Sequence, residues 1–398
     1  MQTKENPRAS SSARVLTYAA YASFIPIGIA TILLGPMLPI LSARWALTYS
    51  QAGALFPAQY VAATCAVGLS GVIASRCGFR LTIALGLLLT AVGLAFLLAG
   101  PKALGVLSIG AYGMGLGIAV PAANLLVAAV NPERRSAKLN VLNFFWSTGA
   151  VACPFLVAAS AKTQHLGVFL LIVAGFALAV AIGITLMRGN LAEPPAPKDK
   201  TPFLDMARGN RPAFVILAVL FFLYVGVENG FGEWMASYVK SLGTLPLATA
   251  LATPSFFYCS LMLGRWLAPG LLRFVSELRL AQTGLLLACA GMAGLLFSHG
   301  LAGVGASAIA GGLGLSCVYP ITISFLSREF ASARIGSLMF VLSNIGGGLL
   351  PWMVGVSSER AGTLKAGFFV PLLGCLMMYV CYLLNWTRRA SPADSPQR

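Results

Sequence analysis

The sequence predicts an all-α membrane protein of twelve transmembrane helices, arranged as two pseudo-symmetric six-helix bundles. Three observations carry this expectation: an apolar composition, twelve long apolar spans with one break in the middle, and a repeat between the halves. The chain has 398 residues, of which 58% are hydrophobic and 10% charged, and its mean hydropathy is +0.83. A soluble domain carries about 25% charged residues, so this composition cannot cover a surface facing water. The formal net charge of +16 does not point to nucleic acid. The basic residues sit in short clusters between apolar runs and form no aromatic-rich basic face, so a lipid bilayer is the expected surrounding.

A helix needs about 20 apolar residues to cross the hydrocarbon core. On that criterion the spans are 15–41, 49–74, 80–99, 103–130, 137–160 and 166–187, then 212–239, 246–272, 279–297, 301–326, 334–357 and 366–386. The break at 188–211 is the longest polar stretch inside the chain and contains Pro194, Pro195 and Pro197 among Glu193, Lys198, Asp199 and Lys200. Prolines and charges favour an extended linker there. The expected organisation is therefore an N-terminal bundle over 1–187, a cytoplasmic linker over 188–211 and a C-terminal bundle over 212–398. The polar segment 1–13 leads into the first span without a signal-peptide cleavage pattern, so that helix is expected to be retained. Eight cysteines lie in or beside the spans with no CxxC pair, which reads as small apolar residues and no metal.

Lysine and arginine set the orientation. Of 27, the outer loops hold Arg44, Lys102, Lys162, Lys240, Arg360 and Lys365, Arg265 lies inside the eighth span, and the other 20 fall in the tails and the even-numbered loops. That asymmetry predicts both termini in the cytoplasm, in a multi-pass protein of the cytoplasmic (inner) membrane.

The repeat is clearest when spans 4 and 5 are laid over spans 10 and 11. Gly113, Gly115 and Pro121 fall on Gly312, Gly314 and Pro320, and Ser147, Gly149 and Pro154 fall on Asn344, Gly346 and Pro351. Gly68 and Arg80 likewise meet Gly264 and Arg279. Glycine and proline are common in any membrane helix, but here their order and spacing match. Parallel six-helix repeats place a substrate site at the midplane, where the bundles rock against each other.

Twelve helices in two halves resemble the major facilitator superfamily. The segment Gly71-Val72-Ile73-Ala74-Ser75-Arg76-Cys77-Gly78-Phe79-Arg80 is similar to its cytoplasmic loop signature, with Ser75 where the family usually has Asp. The resemblance implies a fold of this type and a cytoplasmic gate that uses Arg76 and Arg80. A narrower resemblance, to the fucose/glucose:proton symporter branch, rests on Tyr224-Val225-Gly226-Val227-Glu228-Asn229 with Gly232, Glu233, Trp234 and Tyr238. It implies transport of a sugar, with proton coupling as a further possibility, and a monomer is the expected unit. That branch usually carries an acid in span 1 or span 4, whereas span 1 here has none and span 4 offers Asn124.

Charge inside a bilayer is costly, so an intramembrane carboxylate is a functional candidate. Of the eleven acidic residues, Glu228 and Glu233 alone lie within a span away from its ends. Five residues apart, they are about 140° apart around a straight helix, and Gly226, Gly230 and Gly232 make a local break plausible. Glu228 is the deeper and is the candidate for substrate binding and proton coupling, against a structural hydrogen bond; Glu233 is expected nearer the outer face, solvated or lining a gate. Arg265 is expected to snorkel to the headgroups or brace the loop after span 8.

The other substrate-binding candidates are amides and aromatics: Gln59, Asn124, Asn140, Asn143, Trp146, Asn229, Trp234, Tyr258, Tyr319 and Asn344. Asn140, Asn143 and Trp146 recur every three residues, which puts two amides and an indole on one stripe. Such groups suit a neutral polyol, whose hydroxyls donate and accept as amides do and whose ring an indole can cover. The competing role is helix-to-helix hydrogen bonding. A hexose transporter, proton-coupled or a plain facilitator, is the leading expectation, and an exporter of amphipathic drug-like compounds is the alternative. An enzyme is not expected: both histidines sit at loop ends, no HExxH or GxSxG occurs, and the deep carboxylates share one helix.

Overall fold

Helix breaks in a bilayer are tolerated where neighbouring helices resatisfy the backbone, and here most of them follow from proline. The computed structural model describes residues 7–187, 210–330 and 333–384. In chain order the helices are α1 (Pro7–Ile32, then Leu34–Arg44), α2 (Tyr49–Gly53, then 55–77), α3 (79–96), α4 (Lys102–Val130), α5 (Arg135–Lys162) and α6 (Leu166–Leu186). The second set is α7 (Arg211–Gly232, then Met235–Ser241), α8 (Leu247–Ala252, then Pro254–Leu271), α9 (Glu277–Phe297), α10 (Leu301–Ser316, then Val318–Glu329), α11 (Ala333–Ala361) and α12 (Leu364–Gly367, then Phe369–Leu383). The expected linker lies outside the described residues except for Asn210 and Arg211.

Eleven helical stretches among the described residues are long and apolar enough to cross a membrane, and one of them, Tyr49–Phe96, has 48 residues. At 1.5 Å per residue it would run about 72 Å, more than twice a hydrocarbon core of about 30 Å. Gly78, with φ 78° and ψ 162°, interrupts it. A side chain at that φ would be strained, so glycine turns the chain and α2 and α3 become separate crossings. The count is then twelve.

Proline cannot donate to the carbonyl four residues back. The breaks at Leu33, Ala54, Cys317 and Phe368 each lie three residues before a proline (Pro36, Pro57, Pro320, Pro371), and the break at Thr253 directly precedes Pro254. The break in α7 at Glu233 and Trp234 has no proline and follows Gly230 and Gly232.

Packing repeats between the halves. Gly113 of α4 lies on the Gln59 carbonyl of α2, and Gly312 of α10 on the Phe257 carbonyl of α8. Gly115 meets Gly86 and Thr90 of α3, and Gly314 meets Gly284 and Ala288 of α9. Gly149 of α5 lies on the Ile25 carbonyl of α1, and Gly346 of α11 on that of Phe222 in α7. Each glycine lets two backbones approach where a methyl group would collide, which is how membrane helices gain van der Waals contact.

The face where α6 ends and α7 begins is here the junction face, and the opposite one the far face. Contacts between the halves close the far side. Lys240 Nζ on α7 donates to the Pro39 carbonyl of α1 at 3.2 Å, and the Ser50 amide of α2 donates to Glu359 Oε2 of α11 at 2.7 Å. Deeper, Ser255 Oγ of α8 donates to the Val151 carbonyl of α5 at 3.0 Å. Toward the junction face Asn140 and Asn143 on α5 and Phe340 on α11 are exposed. There the C-terminal half is tied to itself, through the Arg328 to Glu277 ion pair and the Asn210 to Glu329 hydrogen bond.

Candidate functional site

The site is built on α7, whose hydrophobic body carries two carboxyl groups into the protein. Tyr224 and Glu228 are four residues apart and so lie one turn from each other on the same face. Arg265 of α8 reaches both: its Nη2 is 3.6 Å from Glu228 Oε2 and donates to the Tyr224 hydroxyl at 3.4 Å. The Tyr224 hydroxyl in turn donates to the Leu315 carbonyl at 3.2 Å, and its ring stacks on Tyr319 of α10 with centroids 4.9 Å apart. The two charged side chains are 30% and 10% exposed, for Arg265 and Glu228 respectively. A guanidinium and a carboxylate are thereby held at the edge of solvent and can meet a polar ligand.

Asn229, the next residue, points to the other half. Its Nδ2 donates to the Tyr60 hydroxyl of α2 at 2.5 Å and to the Gly347 carbonyl at 3.3 Å. Trp234 is fully buried and donates from Nε1 to the Pro351 carbonyl at 2.8 Å, with its ring against Phe56 of α2. Gln59 accepts from the Tyr112 hydroxyl at 3.1 Å. Its own amide donates to the Thr31 carbonyl at 3.4 Å, and Trp146 Nε1 donates to the Thr31 hydroxyl at the same distance. These residues form a polar layer across the seam between the halves, with Tyr258 of α8 buried beside it.

The remaining candidates lie apart from that layer. Asn140 and Asn143 are exposed on α5, and Asn143 Nδ2 donates to the Leu139 carbonyl of its own helix at 3.0 Å. Trp146, half-buried, begins the sealed layer above them. Asn124 donates to the Val120 carbonyl at 2.9 Å within α4, and Asn344 is half-buried on α11. Arg76 is exposed in the last turn of α2, and Arg80 Nη2, at the start of α3, donates to the Thr185 carbonyl of α6 at 3.4 Å, in its own half.

Two expectations need correction. Arg265 does not snorkel away from the protein interior but turns inward to Glu228. The signal was present: the one cation deep within a span should be expected to pair with one of the two carboxylates there. Glu233 is not solvated: it is fully buried at the break in α7, and neither carboxyl oxygen has a hydrogen-bond partner among the described residues. Tyr60 and Tyr112 also escaped the sequence reading, because a tyrosine in an apolar span gives no sign of which way its hydroxyl faces. Among the described residues no group of three or more His, Cys, Asp or Glu side chains could hold a metal ion.

Comparison with known proteins places this architecture. The family model described as Major Facilitator Superfamily matches residues 20–355. A protein of Brucella abortus named glucose/galactose transporter is 24% identical over 326 residues, covering 76% of this chain and 78% of its own. Among solved structures, the E. coli fucose:proton symporter FucP is similar at 19% identity, with TM-score 0.64 over 95% of this chain and 100% of that one. The nucleoside transporter NupG is similar at 13% identity, with TM-score 0.77 over 92% and 99%.

Proposed function

The chain belongs to the major facilitator superfamily, and from that premise we propose that it is a transporter of a hexose-type sugar working by alternating access. In this reading the bodies 1–187 and 212–398 rock about the seam and 188–211 links them, with a monomer as the unit. The lysine and arginine distribution supports a cytoplasmic junction face, with both termini there, in the cytoplasmic (inner) membrane. The closed far face is then the side away from the cytoplasm.

The observation that carries the sugar reading is the chemistry of the layer at the seam. Amides and tyrosine hydroxyls from α2, α4, α7 and α8 converge there with indoles from α5 and α7. Groups that both donate and accept match sugar hydroxyls, and aromatic faces match the apolar side of a pyranose. The Brucella relative named as a glucose/galactose transporter and the fold shared with FucP support the same class. Gln59, Asn124, Asn140, Asn143, Trp146, Glu228, Asn229, Trp234, Tyr258, Tyr319 and Asn344 are the proposed substrate-binding set, and Arg76 with Arg80 the cytoplasmic gate. Glu228 accepts hydrogen bonds from substrate hydroxyls while Arg265 holds it in place; coupling to a proton through Glu228 would require that pair to open.

Uptake of labelled hexoses into proteoliposomes, with and without a pH gradient, tests this reading. Saturable uptake of a hexose is expected. Asn143→Leu removes a polar partner at similar size and should weaken binding by about 1–3 kcal/mol with the fold intact. Transport of amphipathic dyes with no hexose binding would favour the exporter instead.

A further inference from the structure

Glu233 stands out among the buried groups because it is the one carboxyl group there with no hydrogen-bond partner among the described residues. It is fully buried, and both carboxyl oxygens lack a hydrogen-bond partner. It occupies the one break within a helix that no proline explains, and it sits at the seam: a Cβ on Gly35 of α1 would come within 2.7 Å of its Cα. Glycine at position 35 therefore lets α1 close onto α7 over this carboxyl group. The titratable groups close enough to interact with it electrostatically are Tyr60 of α2, Tyr112 of α4, Cys153 of α5, Tyr258 of α8 and, on α7 itself, Glu228. The Tyr258 hydroxyl, which lies against Gly232, has no partner either. Lys240, further along α7, has its ammonium on the Pro39 carbonyl, and Arg265 is on Glu228. No cation pairs with Glu233 among the described residues.

We propose that Glu233 is a proton-binding site that controls closure of the far face. An ionised carboxylate buried here would have neither counter-charge nor donor among the described residues, whereas the neutral acid has no charge to desolvate. When α1 and α7 part, water reaches the group and the charged form is tolerated. Closure of the far face then requires a proton on Glu233. The device rests on the alternating-access reading and is independent of which solute is carried.

Spin labels at Lys162→Cys and Leu301→Cys, in a cysteine-free background of the full chain in lipid nanodiscs, report the separation of the halves at the far face. No sugar is added. Raising the pH from about 5 to about 9, a range that spans carboxyl titration, should move the wild-type distances from short to long. Glu233→Gln, permanently neutral, should stay short throughout, and Glu133→Gln, at an exposed carboxyl between α4 and α5, should keep the wild-type response. Infrared spectra of the unlabelled protein at low pH should show a protonated carboxyl band that Glu233→Gln lacks, a readout that needs no conformational change. Wild-type distances that ignore pH, or a response that survives Glu233→Gln, overturn the proposal; a response lost in Glu228→Gln alone moves the proton site to Glu228. A normal pH response in a protein that binds no hexose would leave the latch standing and remove the sugar.

Discussion

Glu228 and Arg265 show how pairing decides what a membrane charge does. Each alone would be expensive inside the bilayer; together, at 3.6 Å and with Tyr224 bridging, they are held on one wall of the C-terminal half. Because Arg265 is 30% exposed, water screens part of the attraction, and the pair is worth less than a fully buried one. Arg265→Gln should destabilise the purified protein by about 1–3 kcal/mol, since it strands the carboxylate. Adding Glu228→Gln should recover part of that loss, and a thermal-unfolding double-mutant cycle should give a coupling of about 0.5–3 kcal/mol. Strict additivity would show that the two side chains do not interact. Arg265→Lys is expected to rescue poorly, because an ammonium cannot span Glu228 and Tyr224 with the planar fork of a guanidinium.

Between residues and the molecule stand the helices, and their ends were legible in the sequence to within a few positions for most spans. Span 4 was expected at 103–130 and is Lys102–Val130; span 6 was expected at 166–187 and is Leu166–Leu186. The breaks follow from proline chemistry, but the sequence could not say that Pro26 and Pro351 would sit inside continuous helices while Pro36 and Pro371 stop theirs, because neighbours decide whether the lost hydrogen bond is tolerated. Glycine contacts divide in the same way. Gly346→Ala would push a methyl group into the Phe222 carbonyl, whereas Gly175→Ala points into open space on α6. The first should cost about 1–3 kcal/mol through overpacking, and the second should be neutral or slightly stabilising through helix propensity. Similar melting temperatures for both variants in detergent would refute the close approach. Gly149→Ala, the counterpart in the first half, should behave as Gly346→Ala does.

At the scale of the whole molecule the far side is sealed by bonds between halves, while Asn140, Asn143 and Phe340 are exposed toward the junction face. In the proposed alternating-access reading, Arg76 and Arg80 meet the other half when the junction face closes. On that reading, neutralising both as Arg76→Gln with Arg80→Gln is expected to favour the form open at the junction face, by weakening the form closed there. A solvated ion pair contributes about 1 kcal/mol or less, so with two arginines neutralised the ratio of the two forms should change by at most about thirtyfold. Spin labels on the junction ends of α2 and α11 would measure it, and an unchanged distribution would remove these arginines from the gate.

Composition, span length and the Gly and Pro repeat determined the twelve-helix, two-half architecture, because burial in lipid allows a long apolar chain few alternatives to helices. The same repeat anticipated the packing, since a glycine that admits a backbone in one half admits its counterpart in the other. The partners of the polar residues were decided by tertiary structure alone. Asn140, Asn143 and Trp146 share a helical stripe, yet the amides are exposed and the indole joins the sealed layer, because α1 covers α5 from Trp146 onward. Arg265 meets Glu228, and Glu233 meets no cation among the described residues, because helices remote in sequence cross at angles that periodicity does not encode. Sequence spacing fixes which face of a helix a side chain occupies; what stands opposite that face depends on how whole helices pack.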